Sequence, residues 1–301
     1  KTAYEIKECD WSSDVCSSDL IIGGVQNYGI NELKPWVLSI EENIPDAHRV
    51  MCYRNISEET QKWLANKGFE LVEMPDLQIP VHVLRFLSIY EYLRQNHEKY
   101  RYVLTTDVKD VYFQKDPFDF LEKNNIGRST NKIVCGSECL KYKDEWWGNE
   151  NLMQTYGTYI HSLFKDETIY NVGVLAGTAE YIKDLVFNIF TNGVNRPIKI
   201  VDQAVFNVLI NTQPYKDVVK KASMSQAFAC QAGTVADPSK IGDFRPNLLE
   251  EEPVWNDGVV ETFDGRPFYI VHQYDRVPEW KKFIAKKYGQ QIESEFFTYK
   301  V

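Results

Sequence analysis

Asp107 and Asp110 stand three residues apart where an apolar run ends, in YVLTTDVKDVYFQKDPF (102–118). Carboxylates at the end of a buried strand are costly unless they meet a cation or hydrogen-bond donors. Their oxygens suit Mg2+ or Mn2+, ions that commonly bridge to phosphate groups. A plainer role stands beside this one, because Asp is common in turns and both acids could face water there. His272 lies between apolar FYIV and polar QYDR, at what should be a strand end. It is either a satisfied core residue or a nitrogen ligand beside carboxylates. Arg276 follows four residues later, suited to a diphosphate or to a surface salt bridge. Asp202 and Gln203 open an apolar segment, where Asp202 could serve as a simple N-cap. Glu138 ends the run KIVCGSE, and a solvated turn acid is the favoured expectation for it.

These residues need a scaffold, and the apolar pattern provides one. LIIGGV (20–25), HRVMCYRN (48–55), FELVEMP (69–75) and RYVLTTD (101–107) have the character of strands. Between them INELKPWVLSIEEN (30–43), SEETQKWLANKG (57–68) and PVHVLRFLSIYEYLRQNH (80–97) have that of helices. Ser57 can N-cap the second helix and Gly68 can end it, while Pro80 suits the first turn of the third. This alternation predicts an α/β domain with a mostly parallel central sheet covered on both faces by helices. Ligands of such sheets bind beyond the carboxyl ends of the strands, which puts Asn27, Tyr28, Asp107 and Asp110 at the mouth. Further strands are expected at 132–140, 168–177 and 266–275, and helices at 178–193, 202–211 and 277–289. A polar, Pro-containing stretch covers 237–258. With no repeat and no clear linker, a single domain is expected.

The bulk properties narrow the classes. A chain of 301 residues with 44% hydrophobic residues and 14% aromatics is an ordinary globular protein. Forty-three acids against 34 bases give a formal charge of −9, which argues against a broad nucleic-acid or anionic-membrane surface. No apolar run approaches the ~20 residues of a membrane span. Beyond the opening segment the cysteines are Cys52, Cys135, Cys139 and Cys230, too sparse for a disulfide framework. A reducing, cytoplasmic setting is the expectation. The sequon Asn55-Ile56-Ser57 needs a secretory context that nothing else supports.

The segment 102–118 resembles the metal-binding acidic motif of GT-A glycosyltransferases, which use nucleotide-sugar donors. It is most similar to a little-characterised, family-8-like group marked by D-V-(R/K)-D-V-x-F-Q-x-(D/N)-P-F. Other segments follow in that family's order: RFLSIYEYL (85–93), YNVGVLAG (170–177), VDQAVFN (201–207) and IVHQYDR (270–276). The resemblance runs from about Ile21 to Trp280. It implies a single GT-A (Rossmann-like) domain in which Asp107, Asp110 and His272 hold Mn2+ or Mg2+. Arg276 would assist at the donor diphosphate, and Asn27, Tyr28 and Arg85 would bind the nucleoside. Asn171, Asp202 and Gln203 would face the sugar and the acceptor hydroxyl of a glycan, lipid or protein, with retention of configuration. The usual spacing of the motif is Asp-x-Asp. Aligning VYFQ with its continuation puts Asp110 on the second acid and leaves Asp107 one residue out of step, as a ligand, a ribose contact or an orienter of Arg85. Trp146 and Trp147 could stack on an acceptor sugar, though partly buried packing is the commoner fate of such a pair.

Two other readings compete. A sugar-1-phosphate nucleotidyltransferase should carry a Gly-rich loop with Arg and Lys after the first strand, and GGVQNYGINELKPW lacks it. A catalytically silent nucleotide- or sugar-binding module would keep the site without turnover. The opening segment stands apart from all of these. DWSSDVCSSDL (10–20) resembles, letter for letter, one reading frame of a widely used sequencing-adapter oligonucleotide. Residues 1–20 are therefore expected to be non-native and the domain to occupy 21–301. Cys9 and Cys16 then form no metal or redox site. A native leader or anchor would be hidden by the same event, which leaves a secretory or Golgi location open.

Overall fold

The computed structural model describes residues 18–291. Residues 10–17 of the adapter-like segment lie outside that range, whereas Ser18, Asp19 and Leu20 open the first strand, β1 (Ser18–Gln26). Then follow α1 (Ile30–Asn43), β2 (His48–Arg54), α2 (Glu58–Asn66), β3 (Phe69–Glu73), α3 (Val81–Asn96) and β4 (Tyr100–Thr106). This is the expected alternation. Ser57 caps α2, its Oγ accepting from the Thr60 backbone N–H, and Gly68 lies just past the helix at φ +77°. Helix α3 begins immediately after Pro80, which supplies a φ suited to a helix start.

Alternation along β1 explains why both sheet faces are covered. Leu20 and Ile22 point into one apolar cluster with Leu84, Phe86, Ile182 and Leu185. Ile21 and Val25 point into another with Trp36, Val37 and Ile40 of α1. Each fully buried side chain of this size contributes roughly 1.5–3 kcal/mol, so the strand has no face it can give to water.

The second half runs β5 (Val111–Phe113), α4 (Pro117–Lys123), β6 (Ile133–Lys141), α5 (Trp146–Phe164), β7 (Thr168–Thr178), α6 (Ala179–Gly193) and α7 (Asp202–Ile210). It continues with β8 (Val219–Ala222), β9 (Ala229–Gln231), the single turn α8 (Ala232–Val235) and α9 (Ile241–Phe244). A hairpin, β10 (Val254–Asn256) with β11 (Val259–Glu261), precedes β12 (Ile270–His272) and α10 (Pro278–Tyr288). The seven-stranded sheet has the order β3-β2-β1-β4-β7-β6-β8. Only β7 runs against its neighbours, β4 and β6. The chain reverses direction across the sheet between β1 and β4, which makes the crevice between their ends the topological switch point.

The expected strand 266–275 shrinks to Ile270–His272, and it does not join the large sheet. It forms a second sheet in the order β5-β12-β9, antiparallel to β5 and parallel to β9. Phe113, Ala229 and Ile270 of this small sheet, with Phe228 just before it, pack into the cluster that holds α1. The polar stretch 237–258 carries α9 and the first strand of the hairpin. Among the described residues no helix is long and apolar enough to cross a membrane.

Candidate functional site

The small sheet is what assembles the site. Pairing of β12 with β5 sets His272 opposite Val111, and the Gln273 N–H donates to the Asp110 carbonyl at 2.7 Å. That register brings His272 beside Asp110. From the large sheet, the Asp107 N–H donates to the Gly173 carbonyl on β7 at 2.8 Å. The ligand-capable atoms of Asp107, Asp110 and His272 thus lie within 4.8 Å of one another. His272 Nε2 is 3.4 Å from Asp107 Oδ2 and 3.6 Å from Asp110 Oδ1.

The parallel pair β9–β12 places Gln231 opposite His272, and Gln231 Oε1 accepts from His272 Nδ1 at 2.8 Å. With its hydrogen on Nδ1, a neutral imidazole turns the Nε2 lone pair towards the two carboxylates. Nε2 is buried and makes no hydrogen bond. Burial works to lower the imidazole pKa, but Asp110 and Asp107 outweigh it and raise it. Burial likewise raises the Asp110 pKa, with Asp107 adding to it against His272. Two oxygens, one unpartnered nitrogen and surplus negative charge fit a divalent cation. Gly173 leaves the room: a Cβ there would stand 2.7 Å from both Asp107 Oδ2 and His272 Cε1.

Arg85 of α3 holds Asp107 from behind. Its Nη1 donates to Asp107 Oδ1, and its Nη2 to Asp202 Oδ2 at 3.1 Å. Desolvation at the cavity floor opposes the ionised Asp107, yet Arg85 and His272 hold its carboxyl far below the usual range. Gly24 on β1 is needed for this approach, since a Cβ there would meet the Arg85 Cβ at 2.7 Å. Asp202 is the first residue of α7 and is not its N-cap, a place taken by Val201. Its carboxylate is spent on Arg85.

Glu138 departs from the sequence expectation. It is not a solvated turn acid but a buried hub on β6, 8% exposed. Its Oε1 accepts from Asn171 Nδ2 at 2.6 Å and from Gln203 Nε2 at 2.7 Å, and its Oε2 from Thr234 Oγ1 at 3.1 Å. Burial pushes its pKa up, while the hydrogen bonds from Asn171 and Thr234 oppose the shift. Gln203 Oε1 accepts from the Val172 N–H, and Asn171 Oδ1 from the Gly173 N–H. The amide pair is therefore locked to the strand that floors the acidic cluster.

Asp107, Asp110, His272, Arg85, Asp202, Glu138, Asn171, Gln203 and Thr234 line one cavity of about 570 Å³ beyond the ends of β1 and β4, with Gln231 buried behind His272. Tyr28 lines it too, with Lys109 Nζ 5.6 Å from the ring centroid. Arg276 and Lys240 add positive charge to the wall. Asn27 is not among the lining residues: it is exposed at φ +62°, where its Oδ1 accepts from Asn55 Nδ2. Trp146 and Trp147 line the cavity as well, 66% and 38% exposed. Gln231, Thr234 and Lys109 carried no signal in the sequence. Their importance comes from register and from a neighbouring ring.

No family profile matches the chain, and neither does any curated protein sequence. Solved structures do match. The bifunctional glycosyltransferase WbbM, in its apo form, shares 12% identity at a TM-score of 0.53 over 89% of this chain. An active-site mutant of LgtC shares 15% identity at a TM-score of 0.50, covering 91% of this chain and 98% of its own. The present chain has the GT-A glycosyltransferase fold. It spans about half the length of WbbM and nearly all of LgtC.

Proposed function

We propose that this protein is a metal-dependent glycosyltransferase that moves a sugar from a nucleoside-diphosphate donor to an acceptor hydroxyl. The observation that carries the proposal is the Asp107–Asp110–His272 group, with its buried, unpartnered Nε2, at the switch point of a GT-A fold. Those three side chains would hold Mn2+ or Mg2+, which as a Lewis acid offsets the charge building on a leaving nucleoside diphosphate. Asp110 is the firmer ligand, because Asp107 also answers to Arg85. Arg276 and Lys109 add positive charge for diphosphate oxygens, and Tyr28 offers a ring face for the nucleoside, whereas Asn27 stands outside the lining and could reach the nucleoside only from the rim.

The remaining residues orient. Arg85 ties Asp107 to Asp202 and so sets one carboxylate relative to the sugar side of the cavity. Asn171 and Gln203 sit where the donor sugar and acceptor hydroxyl would meet, held by Glu138 rather than free to rotate. Fixed dipoles near a developing oxocarbenium-like centre would stabilise it without reorganisation, and retention of configuration rests on the resemblance of the Asp202-Gln203 segment and His272 to retaining members. The catalytic domain in this reading is residues 21–301, with 1–20 non-native.

The deciding experiment offers UDP-, GDP- and other nucleotide sugars with Mn2+ or Mg2+ and follows release of the nucleoside diphosphate. Metal-dependent release, lost in Asp110→Ala with the fold intact, supports an enzyme. Tight nucleotide binding with no turnover of any donor would instead make the chain a silent binding module.

A further inference from the structure

We propose that Trp146 and Trp147 form a stacking platform for a saccharide acceptor, so that the hydroxyl receiving the sugar belongs to a glycan. The inference rests on the glycosyltransferase reading of the same cavity and names its acceptor class. Its first support is position across the sheet, where β1, β4, β7 and β6 are successive neighbours. Tyr28 follows β1, Asp107 and Asp110 follow β4, Asn171 and Gly173 lie on β7, and Glu138 lies on β6. The chain leaving β6 leads into α5, which begins with the two tryptophans. The acidic cluster therefore sits between Tyr28 and the indole pair. With the nucleoside on the Tyr28 side, the space left for an acceptor is on the tryptophan side.

The second support is the way the rings are held. Glu145 caps α5, its carboxylate accepting from the Trp147 and Gly148 N–H groups, and it is itself only 6% exposed. Asn151 Nδ2 donates to the Ile200 carbonyl, binding the first turns of α5 to the segment before α7. Two large apolar rings are thus presented to solvent from a backbone that cannot withdraw them. Ile200, 40% exposed, extends the apolar surface along the same cavity. Exposed aromatic area beside a polar cavity marks a binding surface.

The third support is chemical. Glu145, Asp237 and Lys240 line the same cavity as the rings. An apolar face framed by carboxylates and an ammonium suits a pyranose, whose C–H face covers indole while its hydroxyls hydrogen-bond outward. Glu145 and Asp237 already hold backbone and Ser239 donors, but an acyl chain would still desolvate the Lys240 ammonium without offering it a hydrogen bond.

Saturation-transfer NMR on the full chain, with diamagnetic Mg2+ and UDP present, tests this with lactose, cellobiose and maltotriose as probes. The parent should transfer saturation to ring C–H protons of at least one probe. The double variant Trp146→Ala/Trp147→Ala should lose it, and Trp146→Phe should retain it, as a stacking role requires. In transfer assays the double variant should raise the acceptor KM about tenfold more than the donor KM, the size of a lost aromatic contact. No saturation transfer to any probe, equal transfer with the double variant, or binding of phosphatidylcholine vesicles in place of saccharides overturns the proposal. Failure of the underlying reading shows differently. Saccharide contact that depends on the indoles, with no turnover of any nucleotide sugar, leaves a saccharide site in a protein that is not a transferase.

Discussion

Two acidic clusters share one cavity floor and differ in a single respect. Around Glu138 every acceptor oxygen has its donor, supplied by Asn171, Gln203 and Thr234 from three different elements. Around Asp107, Asp110 and His272 the accounting does not close. His272 Nε2 is buried with no hydrogen bond and faces only the two carboxylates, and Arg85 Nε and Gln231 Nε2 behind it also lack hydrogen bonds. A satisfied buried carboxylate has no need of a further ligand, whereas a cluster with an open nitrogen and two carboxylates could hold a cation. Burial alone would not separate them, since Glu138 and His272 are both under a tenth exposed.

The largest expected effect is on the open cluster. Asp110→Ala should lower metal-dependent turnover by about a thousandfold, or about 4 kcal/mol of barrier. Its melting temperature should hold or rise, because a desolvated carboxylate is removed. Undiminished Mn2+ response in that variant would erase the distinction between the clusters.

Glu138→Ala should behave in the opposite way. It leaves the Asn171 and Gln203 amides without their acceptor and should cost roughly 2–4 kcal/mol of stability in urea unfolding. Mn2+ affinity, read by calorimetry, should fall far less than in Asp110→Ala. A variant of normal stability would show that the hub is not scaffold.

Gln231→Leu probes the join between the two. Removing the acceptor on His272 Nδ1 should weaken Mn2+ binding by roughly 10–100-fold, the usual price of a lost ligand-orienting contact. Affinity equal to that of the parent would mean the imidazole is oriented by packing alone.

Protonation sharpens the same contrast. Because Asp110 and Asp107 raise the His272 pKa, the metal-free imidazolium contributes stability at low pH that is lost as pH rises through its folded value. Proton and metal compete for Nε2, so Mn2+ affinity should fall as pH drops through that same value. Calorimetry across pH should show proton release on metal binding, and a flat profile would remove His272 from the ligand set.

The smallest effect belongs to Asp19, a third carboxyl, whose donors are few: the Tyr102 backbone N–H, with Arg101 nearby. Burial on β1 pushes it up to about 6, against Arg101, from an ordinary value of 3.8. For a raised acid the cost appears as pH climbs from 3.8 to about 6 and is complete above that. Asp19→Asn should stabilise the protein at pH 7 by about 1 kcal/mol or less, screening considered, with no gain near pH 4. Destabilisation by this change would argue that Asp19 is native to its strand.

Much of the first half was legible because its determinants are local. The alternation of Leu20, Ile21 and Ile22 between two apolar faces, Ser57 at a helix start and Gly68 past its end act over a few residues. Asp107, Asp110 and His272 were likewise visible as residue types at strand ends. The antiparallel β7 was not, because a strand's apolar pattern is the same in either direction. Nor was the burial of Glu138, since an acid after an apolar run looks alike whether its donors come from water or from Asn171, Gln203 and Thr234.

The sequence by itself determined the parallel half of the sheet and which side chains stood ready for chemistry, because periodicity and capping are short-range. Only the tertiary structure decided which of them meet. The register of β12 against β5 and β9 is a pairing across distant chain segments, and it alone turned His272 towards Asp110 with Gln231 behind it. Hydrogen-bond satisfaction is a property of that assembled interior, so the division into an open cluster and a closed one could arise nowhere else.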